Sequence, residues 1–356
     1  GDVVVANTAF KGFKMRHVVL SGVSAVEGAG HLIYGEGAFR GCPNLVTVEC
    51  DEWLATIGIN VFRDCTALTT FGGAEGLKSI GDGAFAGCTS LTAFDIPGQV
   101  ETVGAEVFSG CTSLARVTVP DSVTSLGSGV FAGCSSLADV SLGRGLARIE
   151  SGWFPATIAA NATLKIAGSG TTVISPSAFK GCTMRKLVLS GVSAVEGPGH
   201  IIYFEGAFQG CPNLEVVETD GCLKDLGINV FRGCTNLVSF TGATAVTNIH
   251  DGAFRDCSAL AAAVLPATLE TIGESAFENC TSVRSVEIPN ATTAIGRYAF
   301  WSCTSLTNLS LGSGWRLIEA DRFPSDAEGL DTLTVRGTGD VVVANTAFKG
   351  FKMRHV

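Results

Sequence analysis

Thirteen cysteines and five histidines are the residues best equipped for chemistry in this chain of 356 residues. Thiolates and imidazoles supply metal ligands, nucleophiles and proton carriers, but only where partners converge. Eleven of the cysteines (Cys42, Cys65, Cys88, Cys111, Cys134, Cys182, Cys211, Cys234, Cys257, Cys280 and Cys303) each stand three residues after a phenylalanine. A thiol repeated at a fixed offset reads as one rung of an inward ladder, where a small soft side chain fills a core. Phe13 and Phe351 replace cysteine on this ladder, which a bond-forming site would not accept. Neighbouring rungs would stand at strand-like spacing, inside the range of a disulfide, so the pattern leaves pairing open. Cys50 and Cys222 lie off the ladder, and no Cys-x-x-Cys spacing suggests zinc.

The histidines offer no better case. His17 and His355 are copies within a repeat, as are His31 and His200, and none has a convergent set of partners. The serines lie in recurring turns such as Cys88-Thr-Ser-Leu91, with no Gly-x-Ser-x-Gly elbow. We therefore expect no catalytic residue, no metal and no cofactor.

What positions the cysteines is a period. Phenylalanines at 10, 39, 62, 85, 108, 131, 154, 179, 208, 231, 254, 277, 300, 323 and 348 are separated by 29, then five times 23, then 25 residues, and the same intervals repeat. Such a period marks a solenoid, in which no single repeat closes its own core. Within one coil, Leu91-x-x-Phe94-x-Ile96-Pro97 alternates as a half-buried strand, ended by a proline that has no amide proton to donate. Val100-x-x-Val103-Gly104 turns the chain. Ala105-x-Val107-Phe108-x-x-Cys111 is then expected to form a helical or 3₁₀ turn on the opposite wall.

Leu114-x-x-Val117-x-Val119-Pro120-x-x-Val123-x-x-Leu126-Gly127-x-x-Val130-Phe131-x-x-Cys134 resembles the BspA-like, Treponema-type leucine-rich repeats, and Val283 to Cys303 follows the same pattern. The resemblance covers practically the whole chain. It implies an α/β leucine-rich-repeat solenoid of about 14 to 15 coils, with short parallel strands on one wall and short helical or 3₁₀ turns on the other. It also implies a surface or secreted protein with an adhesive or binding role, and no catalytic residues.

Residues 1–169 form a first block of seven coils and residues 170–338 a second, expected to run on as one continuous solenoid. Residues 339–356 repeat residues 1–18 without a change. This recurrence predicts a longer tandem array. In the 29-residue coils, the stretch Leu20 to Gly28 returns letter for letter as Leu189 to Gly197. We expect it to bulge sideways as an insertion, with Leu20, Val23, Val26, His31 and Tyr34, and their copies Leu189, Val192, Val195, His200 and Tyr203, making lateral contacts.

The outward strand positions define a candidate concave face: Thr47, Glu49, Asp95, Arg116, Thr118, Asp139, Ser141, Glu218, Ser239, Thr241, Ser285 and Glu287. It is rich in hydroxyls and spaced carboxylates, and it lacks the aromatic anchors of a tight protein interface. Asn-x-Ser/Thr acceptors for N-glycosylation occur at Asn161, Asn279, Asn290 and Asn308. A net charge of −9 with scattered Lys and Arg argues against nucleic acid as a partner. No apolar run is long enough to span a membrane. Together these features predict a non-enzymatic extracellular or cell-surface protein that builds a fibre or stalk by stacking on itself. The alternative is an adhesin whose concave face binds a host protein or glycan.

Overall fold

The computed structural model describes residues 3–29, 35–197, 205–263, 265–314, 317–318, 321–323, 330–336 and 342–343. The chain forms two compact units, Gly1–Ser169 and Gly170–Val356. In each unit a coil contributes two short strands to two parallel ladders and closes through a wall of turns.

The first ladder of unit 1 holds His17–Leu20, Thr47–Cys50, Thr70–Gly72, Ala93–Asp95, Arg116–Val119, Asp139–Leu142 and the start of Thr163–Ile174. Pairing is in register, with Val117 opposite Val140 and Val140 opposite Leu164. These apolar residues are buried while Arg116 is exposed, as the two-residue period of a strand requires. Unit 2 repeats the arrangement with Lys186–Val195, Val216–Glu218, Ser239–Thr241, Ser285–Ile288, Asn308–Leu311 and Thr332–Val335.

The ladder is interrupted at the same place in both units. Thr70–Gly72 does not pair with Ala93–Asp95, and Ser239–Thr241 does not reach Ser285–Ile288. In unit 1 the inward strand positions here are Phe71 and Phe94, whose rings stack at 5.7 Å and also meet Phe85.

A second ladder comes from the segment expected to be a plain turn. Thr56–Ile57, Ser79–Ile80, Thr102–Val103 and Ser125–Leu126 pair side by side, as do Asp225–Leu226, Asn248–Ile249, Thr271–Ile272 and Ala294–Ile295. The glycine that follows is required by close approach. A Cβ on Gly81 would lie 2.7 Å from the carbonyl carbon of Gly58 one coil back.

The expected helical wall is corrected: no residue among those described is helical. In most coils two residues placed symmetrically about the phenylalanine take positive φ; around Phe62 these are Asn60 (56°) and Asp64 (62°). Each breaks a right-handed run. The amides also go elsewhere. Asn60, Phe62 and Asp64 donate to carbonyls of the next coil at 2.9, 2.7 and 2.8 Å, whereas a helix keeps its amides within its own segment.

Behind this wall the phenylalanines stack. From Phe10 to Phe154 in unit 1, and from Phe179 to Phe323 in unit 2, successive centroids are between 5.0 and 5.9 Å apart. They form the spine of each core.

The lateral bulge is also corrected. Leu20, Val23 and Val26 are buried, as are Leu189, Val192 and Val195. Val23–Val26 is a rung of the second ladder, pairing with Val3–Val5 and Thr56–Ile57. The extra length lies just beyond it: Val26 stands 13 residues before Phe39, where Ile57 stands 5 before Phe62. That segment opens with Gly28–Ala29 paired antiparallel to Glu36–Gly37. An apolar pattern with a strand's period is core, and the added residues must be sought where the pattern stops. His31, Tyr34, His200 and Tyr203 lie outside the described residues.

Candidate functional site

Positive φ at the ladder positions holds each cysteine inward on the turn wall, where all eleven ladder cysteines are buried and in the free thiol state. Their role is more specific than packing. Ten of them donate Sγ–H to the carbonyl of a phenylalanine in the preceding coil, at 3.1 to 3.3 Å. The same carbonyl accepts the backbone N–H of the residue three further on, which is the cysteine of its own coil except at Phe10, where it is Phe13; Phe62 accepts from Cys65 at 3.2 Å. The thiol thus caps a carbonyl whose flanking amide donates forward.

Most of these thiols are poor nucleophiles; Cys42 is the exception, its pKa lowered to about 7 by the hydrogen bond with Cys65, although it too is buried. Burial pushes Cys134 up to about 12 and Cys182 up to about 11, so little thiolate exists near neutrality. Cys50, off the ladder, is raised to about 12 by burial and then by Asp51 and Glu75. Among the described residues no three His, Cys, Asp or Glu side chains stand together as a metal site.

The outer strand face appears where the alternation places it, with its side chains half-buried or exposed. Its charges are largely paired across coils. Asp95 accepts from Arg116 at 3.0 Å, Asp139 from Lys165 at 3.0 Å and Glu218 from Lys186 at 2.8 Å. Glu287 lies 3.9 Å from Arg336. Thr47 bonds His17 at 2.6 Å. Glu49, Thr118, Ser141, Ser239, Thr241 and Ser285 complete a polar surface.

The four asparagines of the glycosylation motif differ in setting. Asn161, Asn290 and Asn308 are exposed. Asn279 is half-buried at φ 62°, and its amide donates to Asp256 at 2.7 Å. In the Asn290 motif the acceptor threonine, Thr292, is buried and donates to the Leu269 carbonyl at 2.8 Å.

One imidazole forms a definite pair: His250 Nε2 lies 2.9 Å from Asp225 Oδ1. That hydrogen bond, opposed by burial and aided by the charges of Asp225 and Asp251, raises the pKa of His250. A surface group missed in sequence is Arg297, Tyr298 and Trp301, flanking the buried Phe300. Attention to the strand face left them out. The signal was an aromatic residue at a ladder position that other coils fill with Gly, Asn, Ser, Thr, Glu or Asp.

The pattern that defines BspA type leucine rich repeat regions matches this chain in six copies, over residues 56–186 and 201–338. Among solved structures, a leucine-rich repeat protein from Bacteroides ovatus is similar at 25% identity and TM-score 0.60, covering 94% of this chain and 87% of that one. A leucine rich cell surface protein from Faecalibacterium prausnitzii aligns at 23% identity and TM-score 0.40, over 84% of this chain and 88% of its own. The leucine rich repeat protein of T. pallidum aligns at 27% identity and TM-score 0.38, over 63% and 78%. No curated protein matches the chain.

Proposed function

The chain belongs to the BspA-type leucine-rich repeat family, and from that premise we propose that it is a non-enzymatic structural protein of the bacterial surface, extended by repetition into a fibre or stalk. The observation that carries this reading is the recurrence of residues 1–18 at residues 339–356. The recurring segment is seated on the coil before it through Leu317 opposite Val342 and Ile318 opposite Val343, in the parallel register of every other coil. A block whose last coil receives the first strand of the next tiles along an axis, and non-closing contacts of this kind generate filaments. Its partner is then another copy of the same block.

No helix among the described residues is long and apolar enough to cross a membrane. The adhesive alternative has less support, because the outer strand positions named above carry no aromatic anchor. Negative-stain imaging of native material tests the proposal. Threads with an axial repeat near 67 Å, fourteen coils at roughly 4.8 Å each, are expected. Compact, monodisperse particles would overturn it.

A further inference from the structure

The turn wall of unit 2 carries one cluster that the core does not need. Phe300 is fully buried between Phe277 and Phe323, as is Ala299 before it, whereas Arg297, Tyr298 and Trp301 reach solvent. Tyr298 and Trp301 stand half-exposed, with ring centroids 5.5 Å apart and planes at 78°. The guanidinium carbon of Arg297 lies 5.0 Å from the Tyr298 ring centre. Its Nη2 donates to the Tyr298 hydroxyl at 3.1 Å, and it stands 3.6 Å from the Asp321 carboxylate.

Unit 1 supplies an internal control. At the equivalent places around Phe131 it has Ser128, Gly129 and Ala132, and Gly152 stands where unit 2 has Asp321. Both backbones take the left-handed conformation at the second position, Gly129 at φ 65° and Tyr298 at φ 58°. The coil therefore folds without any of the four side chains. Tyrosine in that conformation costs on the order of 1 kcal/mol, which glycine avoids. Other coils carry non-glycine residues in the same conformation, as at Glu106 and Ser275, so what sets this coil apart is the pair of half-exposed rings, which the fold does not require.

We infer that Arg297, Tyr298, Trp301 and Asp321 form a binding site for an uncharged pyranose unit of a saccharide. Two perpendicular rings make an apolar corner against which the C–H face of a sugar stacks. The ion pair beside it offers donors and an acceptor to sugar hydroxyls, and both members keep hydrogen-bonding capacity, since Arg297 is 57% exposed and Asp321 50%. The guanidinium is balanced by Asp321, which favours a neutral sugar over an anionic one. A stable protein interface needs roughly 1,000 Å². Arg255 and Glu278, at the corresponding positions of the two preceding coils, are already paired with each other at 3.1 Å, and an aromatic side chain buries only roughly 150–250 Å². The inference is independent of the fibre reading.

The test compares the full chain with the triple variant Arg297→Ser, Tyr298→Gly, Trp301→Ala, which installs the residues that unit 1 carries in the same coil. The probes are cellohexaose, mannohexaose, laminarihexaose and chitohexaose, followed by titration calorimetry and tryptophan fluorescence. At least one should bind saturably, at least tenfold more weakly to the triple variant, whose melting temperature is not lowered. Asp321→Asn should weaken binding without altering the melting temperature. Failure of every probe to bind, equal binding by the triple variant, or binding confined to an anionic saccharide such as hyaluronan would overturn the inference.

Discussion

Cys88 Sγ donates to the carbonyl of Phe62, one coil back, at 3.2 Å. That carbonyl already accepts the amide of Cys65 at 3.2 Å. The ladder cysteine is therefore a buried donor in a fixed hydrogen-bond scheme as well as a small apolar filler. Serine and alanine have nearly the same volume, so comparing Cys88→Ser with Cys88→Ala isolates the donor. The serine variant should be more stable by about 0.5–1.5 kcal/mol in urea unfolding. Equal stability would show that the thiol contributes packing alone.

The thiols should also be chemically silent. With the ladder buried and Cys50 held up to about 12, a thiol reagent at mildly alkaline pH should modify at most Cys50 and Cys222 in the native chain. All thirteen should react in denaturant. Rapid native modification of a ladder cysteine would mean that the coils open far more readily than their packing indicates.

The glycine after the second strand is there for proximity, and a matched pair of substitutions separates this from glycine's general flexibility. Gly81→Ala forces a Cβ to 2.7 Å from the backbone of Gly58, whereas a Cβ at Gly98 meets nothing within 4 Å. The first should cost about 1–3 kcal/mol and the second close to nothing, read from thermal or urea unfolding.

The pH dependence of unit 2 should carry a small contribution from His250. Its partner Asp225 raises its pKa above the ordinary 6.5, so the folded state binds the proton more tightly than the unfolded state. The resulting stabilisation is fully present below about 6.5 and is lost as pH rises through the folded value. His250→Gln should therefore lower the melting temperature slightly at mildly acid pH and leave it unchanged at alkaline pH. A uniform loss at both would assign the residue a packing role instead.

On the outer strand face, Asp95→Asn should change stability by less than about 1 kcal/mol, because the Asp95–Arg116 pair is half-exposed and screened by salt. A larger loss in urea unfolding would mean that the paired face holds the coils together.

Much of this was legible in the chain. The 23-residue interval, the alternation in segments such as Leu91 to Pro97 and the inward cysteines are local patterns, and local patterns are what a repeat multiplies. The helical wall was not legible. Asn60 and Asp64 look like ordinary polar residues in sequence, and only their left-handed backbone shows why the amides leave for the next coil. The stretch from Leu20 to Gly28 misled for a related reason. Its apolar residues run from the end of the first ladder at Leu20 into the second at Val23–Val26, a row whose strands in most later coils are only two residues long.

By itself the sequence determined the solenoid, its period and its core, because burial of a periodic apolar set leaves stacking as the only way to close it. Only the tertiary structure decided the destination of each polar group. It gave the cysteine thiols the phenylalanine carbonyls, paired Asp95 with Arg116 across coils, and gathered Arg297, Tyr298, Trp301 and Asp321 around one turn. The physical reason is reach: hydrogen bonds and ring contacts act over a few ångströms, and residues some 23 positions apart come that close only when one coil lies on the next.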